Sequence, residues 1–188
     1  VIYSAREAAI ILQLDSARAG YAADSSADAL IWVGRRLGYL SRYRDAIEIF
    51  TEGMTRFPDD PRFLRHRGHR WISVRQLDSA IADLSRAGVM VAGRPDEVEP
   101  DGLPNARNIP PSTLQSIIWY HLGLAHYLQG NFAEALTAYR QEAAIADNPD
   151  MLVATSWWRY LTLRRLGRDA AADSVLTPIT AELDVIEN

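Results

Sequence analysis

The sequence predicts an all-α fold, a solenoid of about four antiparallel helical hairpins with a long loop inserted between the second and the third. Three observations carry this. Apolar residues recur at spacings of three and four, small residues recur at a fixed long period, and five of the nine prolines fall within residues 91–116.

The long period is the most informative of the three. Gly34 and Gly68 stand 34 residues apart, as do Ala46 and Ala80, and Phe50 and Leu84. Gly123, Ala135 and Tyr139 follow 55 residues after their counterparts, and Tyr160, Ala172 and Leu176 another 37 later. A 34-residue unit therefore repeats, with 21 extra residues after the second copy and three after the third. The expected layout is one domain: N-terminal capping helices at 1–26, repeats at 27–60 and 61–94, a proline-rich acidic insertion at 95–115, a repeat at 116–149 and a degenerate one at 153–186. One such unit cannot bury its own apolar face, so neighbours must stack to form a core.

At these positions the chain resembles the tetratricopeptide repeat family, of bacterial type, whose unit carries W-x2-L-G-x2-Y, then A-x3-F, then P. Leu30, Val33, Gly34, Leu37, Ala46, Phe50 and Pro58 fit in "ALIWVGRRLGYLSRYRDAIEIFTEGMTRFPDDP". Leu64, Gly68, Trp71, Ala80 and Leu84 fit in the second unit, where Arg67 takes a place that is usually apolar. "IIWYHLGLAHYLQGNFAEALTAYRQEA" matches through Trp119, Leu122, Gly123, Ala135 and Tyr139. The fourth unit keeps Leu163, Ala172 and Leu176 but puts Tyr160 in the glycine place. The resemblance implies a right-handed superhelix whose first helices line a concave groove, and a non-catalytic protein–protein interaction scaffold.

Element by element, "SAREAAIILQLDSARAGYAADSSAD" predicts one or two short helices ahead of the first repeat. Asp60 is placed to cap a helix that begins at Pro61. "QGNFAEAL" predicts a hairpin turn at Gly130, and "NIPPSTLQS" a proline-initiated helix entering the third unit. The final helix is expected to run to about Asp184, with no further helix to cover the last repeat.

Composition removes several chemistries. All 20 basic residues are arginine and there is no cysteine. A lysine-bearing phosphate loop, a Schiff-base lysine, a thiol nucleophile, a disulfide and a thiolate metal site are thereby excluded. The chain lacks a G-x-S-x-G elbow, and the longest apolar run, "AAIILQL", is far shorter than the roughly 20 residues of a membrane span. No enzyme activity, cofactor or membrane span is expected. The opening "VIYSAREAA", without an initiating methionine, leans the reading toward an exported form.

Charge is unevenly spread: residues 35–94 hold twelve arginines against seven acids, and residues 95–188 hold six against thirteen. By the family pattern the groove residues include Arg35, Tyr39, Arg65, His66, His69, Tyr120, His121, Trp157 and Arg164, with Ile31, Arg62, Leu124, Tyr127, Trp158 and Leu161 beside them. Arginine forks and flat rings suit a peptide or protein partner, an acidic one among them. Ile31 and Arg35 stand where chaperone-tail clamps carry lysine and asparagine, which speaks against that subtype. The histidine spacing has no third ligand on the same turn, so no metal is expected. An acidic chain without a repeated polar pair points away from nucleic acid.

Two further expectations concern the insertion and the ends. The acids Asp96, Glu97, Glu99 and Asp101 could fold back toward Arg35, Arg65 or His69 as a built-in occupant of the groove. The alternative function is head-to-tail self-assembly, with Val1, Ile2 and Tyr3 at one end meeting Val175, Leu176, Ile179 and Leu183 of another copy.

Overall fold

The computed structural model describes residues 4–187, and among them the regular structure is helical apart from a single antiparallel bridge between Val98 and Thr113, with irregular segments at the insertion and after Leu176. It divides into two compact units, residues 1–90 and 91–188.

In the first unit, α1 (Ala5–Ala23), α2 (Ala27–Tyr39), α3 (Tyr43–Arg56) and α4 (Pro61–Ser73) pack each on the next, and α5 (Leu77–Val91) closes the fourth-to-fifth hairpin. The segment ahead of the first repeat is one helix of 19 residues, longer than the one or two short helices expected, started by a reciprocal cap between Ser4 and Glu7. Asp60 caps α4 at Arg62 N, with Pro61 as its first residue, as the sequence predicts. The core joins Leu14, Leu30, Ile31, Val33, Leu37, Ala46, Phe50 and Phe63. Ile31 thus belongs to the core.

The second unit holds α6 (Leu114–Gln129), α7 (Phe132–Ile145), α8 (Pro149–Arg165) and α9 (Asp169–Leu176), again packed in succession. Leu136, Leu163 and Ala172 form a buried cluster that Tyr160, Leu166 and Val175 cover. Helix α6 starts at Thr113, whose hydroxyl caps Ser116 N while Ser116 Oγ accepts from Thr113 N. The reciprocal cap sets this start; Pro110 and Pro111 lie outside the helix. Asn148 caps α8 at Met151 N, with Pro149 at its first turn.

One device recurs in all four hairpins. Ser41, Arg75, Gly130 and Gly167 have positive φ, at 59°, 63°, 86° and 69°. The next residue's N–H in each case bonds back to the carbonyl five positions earlier: Arg42 to Leu37 O, Gln76 to Trp71 O, Asn131 to His126 O and Arg168 to Leu163 O, at 2.9–3.0 Å. These left-handed helix ends close the carbonyls that a helix terminus leaves open. They follow the same ruler of 34, 55 and 37 residues, so the degenerate fourth unit turns as the others do. The glycines on the helices obey it too. A Cβ on Gly68 would lie 2.6 Å from Leu84 Cγ, and one on Gly34 or Gly123 would enter the ring of Phe50 or Tyr139.

The last helix is shorter than expected. It stops at Leu176 because Pro178 has no N–H to return to Ser174 O, which accepts from Thr177 N instead. Residues 177–187 then run as an irregular tail rather than as helix to Asp184. Its backbone N–H groups at Ile186 and Glu187 donate to Asp150 Oδ2 and Oδ1 at 2.9 and 2.6 Å. Asp184 takes both Arg107 nitrogens at 2.7 Å, and Glu187 accepts from Asn105 Nδ2. The insertion is pinned at its other end by Asp96, whose carboxylate accepts from Thr113 Oγ1 and Gln115 N at the start of α6.

Candidate functional site

The residues expected to line a groove fall into two groups, one in each unit. In the first, α2 and α4 bring arginines together. Arg35 lies 4.5 Å from the Trp32 ring centroid and donates to Tyr39 Oη at 3.3 Å. Arg70 crosses α2 at Gly38, where a Cβ would meet its Nη1 at 2.8 Å, and lies over Tyr43 at 5.4 Å. Burial, and then the neighbouring Arg65 charge, push the Arg70 guanidinium down to about 10. It is still protonated at neutral pH.

Arg65 and His66 are buried, at 7% and 6% exposure, and His69 is half-buried. Arg65 Nη1 lies 2.9 Å from His66 Nδ1. A guanidinium can only donate, so Nδ1 is the acceptor. Burial, helped by the charges of Arg65, Arg35, Arg70 and Arg62, holds His66 well below the usual histidine range, hence neutral. Its ring stacks on Phe50 at 5.3 Å. Arg62 is engaged by Asp60 and Asp28, which hold it firmly protonated. It ties α4 to α2.

In the second unit, Trp158 sits among three tyrosines. Its Nε1 donates to Tyr120 Oη at 2.9 Å, Tyr127 meets it edge-on at 5.4 Å, and Tyr139 stacks on it at 6.1 Å. His121 is buried, with Nδ1 2.9 Å from Ile117 O and its ring edge-on to Tyr120. Trp157 is half-exposed, stacked on Tyr160 at 6.1 Å. Arg164 is exposed and paired with Asp169 at 3.2 Å. Leu124 and Leu161 are half-buried.

The sequence reading missed a cavity of about 160 Å³ in this unit, lined by Pro111 and Ser112 of the insertion, Ser116 and Tyr120 of α6, Glu142 of α7, Asp150, Met151 and Ala154 of α8, and Glu187 of the tail. Glu142 is 3% exposed, and its Oε2 has no hydrogen-bond partner among the described residues. Burial pushes this carboxyl up to about 8, with Thr155 pulling weakly the other way. The available signal was an acid three residues after Tyr139, on the face of α7 that must be buried.

Of the residues proposed for self-assembly, Val1, Ile2 and Tyr3 lie outside the described residues. Val175, Leu176, Ile179 and Leu183 are each half-buried. Among the described residues no helix is long and apolar enough to cross a membrane.

Residues 116–149 match the model of the tetratricopeptide repeat. No curated protein matches the chain. Among solved structures it is similar to MamA 41-end from Desulfovibrio magneticus RS-1, with a TM-score of 0.67 at 16% identity over 92% of this chain and 85% of that one. A thermophilic TPR protein from Thermus thermophilus, TTC0263, gives 0.61 at 20% identity over 91% and 84%. The Sgt2 TPR domain from Aspergillus fumigatus gives 0.57 at 19% over 86% and 89%. The fold is therefore all-α and of the tetratricopeptide-like solenoid class. Residues 116–149 form a tetratricopeptide repeat, and the fold of the chain is like that of tetratricopeptide-repeat structures.

Proposed function

We propose that this chain is a non-catalytic scaffold that binds a partner protein, and that an acidic segment of that partner lies against the α2–α4 face. The supporting observation is the density of guanidinium groups there. Arg35, Arg65 and Arg70 stand close enough for their charges to act together on the buried His66. A run of carboxylates would meet planar forks already fixed on Trp32, Tyr39 and Tyr43, so little side-chain freedom is lost on binding. The likeness to tetratricopeptide-repeat structures supports the scaffold role, and the charge pattern supports the sign of the partner.

Fluorescence anisotropy with a labelled glutamate-rich peptide tests this. Arg35→Gln combined with Arg70→Gln should weaken binding about tenfold, roughly the 1.4 kcal/mol of one lost charge-assisted contact, and should flatten its salt dependence. Arg65 is left in place because it is buried. Unchanged affinity in the double variant, or equal binding of a lysine-rich peptide, would refute the reading.

A further inference from the structure

We propose that the cavity between the insertion, α6, α7, α8 and the tail is a receptor for one cationic side-chain head of a partner polypeptide, seated on Glu142. Three carboxylates line it, those of Glu142, Asp150 and Glu187, and among the described residues no arginine does. Asp150 spends its oxygens on the N–H groups of Ile186 and Glu187, and Glu187 accepts from Asn105. Glu142 is different. It is almost wholly buried, it reaches the cavity, and Oε2 has no partner among the described residues. A buried polar oxygen left in this state is costly, and a charged donor arriving from outside would satisfy it as a carboxylate.

Size and lining point to the same occupant. The cavity far exceeds the roughly 10–15 Å³ that one water requires. Tyr120 offers a ring beside the carboxylate, which suits an ammonium or guanidinium. Ile117, Met151, Ala154 and Pro111 offer apolar surface for the aliphatic stem that carries such a head. The site lies wholly within the second unit, so it stands or falls separately from the arginine face of the first.

Seating the cation involves a balanced proton step. In the empty cavity at neutral pH Glu142 is mainly the neutral acid; the arriving cation favours the carboxylate, and one proton leaves to solvent. The groups facing it are Tyr120 of α6, Asp150 of α8, Glu187 of the tail and Tyr139 on its own helix. Binding therefore tightens as pH rises toward 8 and levels off above.

The test titrates the full chain with N-acetyl-arginine methylamide and, separately, N-acetyl-lysine methylamide. N-acetyl-citrulline methylamide serves as the uncharged counterpart of arginine. The readout is the Trp158 indole N–H resonance, because its acceptor, Tyr120, lines the cavity. The expected result is a saturable shift with a cationic probe, about tenfold or more tighter at pH 8 than at pH 6. Glu142→Gln should abolish it with the helical circular dichroism intact, and Ala154→Leu, which fills the cavity from α8, should abolish it with Glu142 in place. Preference for one cation tells an arginine-bearing partner from a lysine-bearing one. An equal shift with citrulline, retention in Glu142→Gln, or no saturation with either cation would overturn the proposal, the last meaning that the cavity holds water only.

Discussion

Arg67 occupies a place where the repeat pattern asks for an apolar side chain, and the structure supplies the reason it is tolerated. Its Nε and Nη2 grip Asp83 Oδ2 and Oδ1 at 2.7 and 2.8 Å, and Trp71 Nε1 adds a third donor at 3.1 Å. Both charged side chains are largely buried, at 17% and 9% exposure. Such a pair adds little over an apolar pair of the same volume, but breaking it leaves one charge stranded. Asp83→Leu alone should cost about 3 kcal/mol in urea unfolding, and Arg67→Leu with Asp83→Leu should recover most of it. The mismatch at Arg67 was visible in the sequence. Its partner was not, because Asp83 lies 16 residues away on another helix and no local pattern relates the two.

Among elements, the hairpin turns show how much repetition can be read and what conceals it. Gly34, Gly68 and Gly123 betray the period because their helices approach aromatic and leucine side chains without room for a Cβ. The turn positions follow the same period, yet only Gly130 and Gly167 advertise the left-handed conformation, while Ser41 and Arg75 adopt it with a side chain attached. The end of α9 was legible in Thr177–Pro178 and was overrun in favour of the amphipathic residues beyond. Those residues fold back, and Asp150 holds them. Asp150→Ala should release the tail, with amide exchange at Ile186 and Glu187 rising toward the unprotected rate. The associated loss of stability should be about 2 kcal/mol, the range for hydrogen bonds to a charged group.

For the whole molecule, the balance of arginines and acids located the charged faces without revealing Glu142, a buried acid that makes stability depend on pH near neutrality. Glu142 titrates at about 8 in the fold against 4.5 as its ordinary value. At this site the native state thus keeps a proton that the unfolded chain has lost, and the contribution of Glu142 to stability falls as pH rises between about 4.5 and 8. Glu142→Gln removes this dependence. Relative to the variant, the native protein should lose on the order of 3 kcal/mol between pH 5 and pH 9, measured by thermal unfolding across that range. The repeat ruler gave the 21-residue insertion its length and place. That it would share a cavity with the last residues of the chain could not be read, since nothing in local pattern relates Asn105 to Glu187.

That last relation has a kinetic side. Helices that pack on their neighbours in sequence close short loops and fold early, whereas the contacts of Asn105 with Glu187 and Arg107 with Asp184 span 82 and 77 residues. Loop closure of that length comes after the local hairpins have formed. The cavity mouth is accordingly a late product of folding. During synthesis it is completed only when residues 184–187 have left the ribosome.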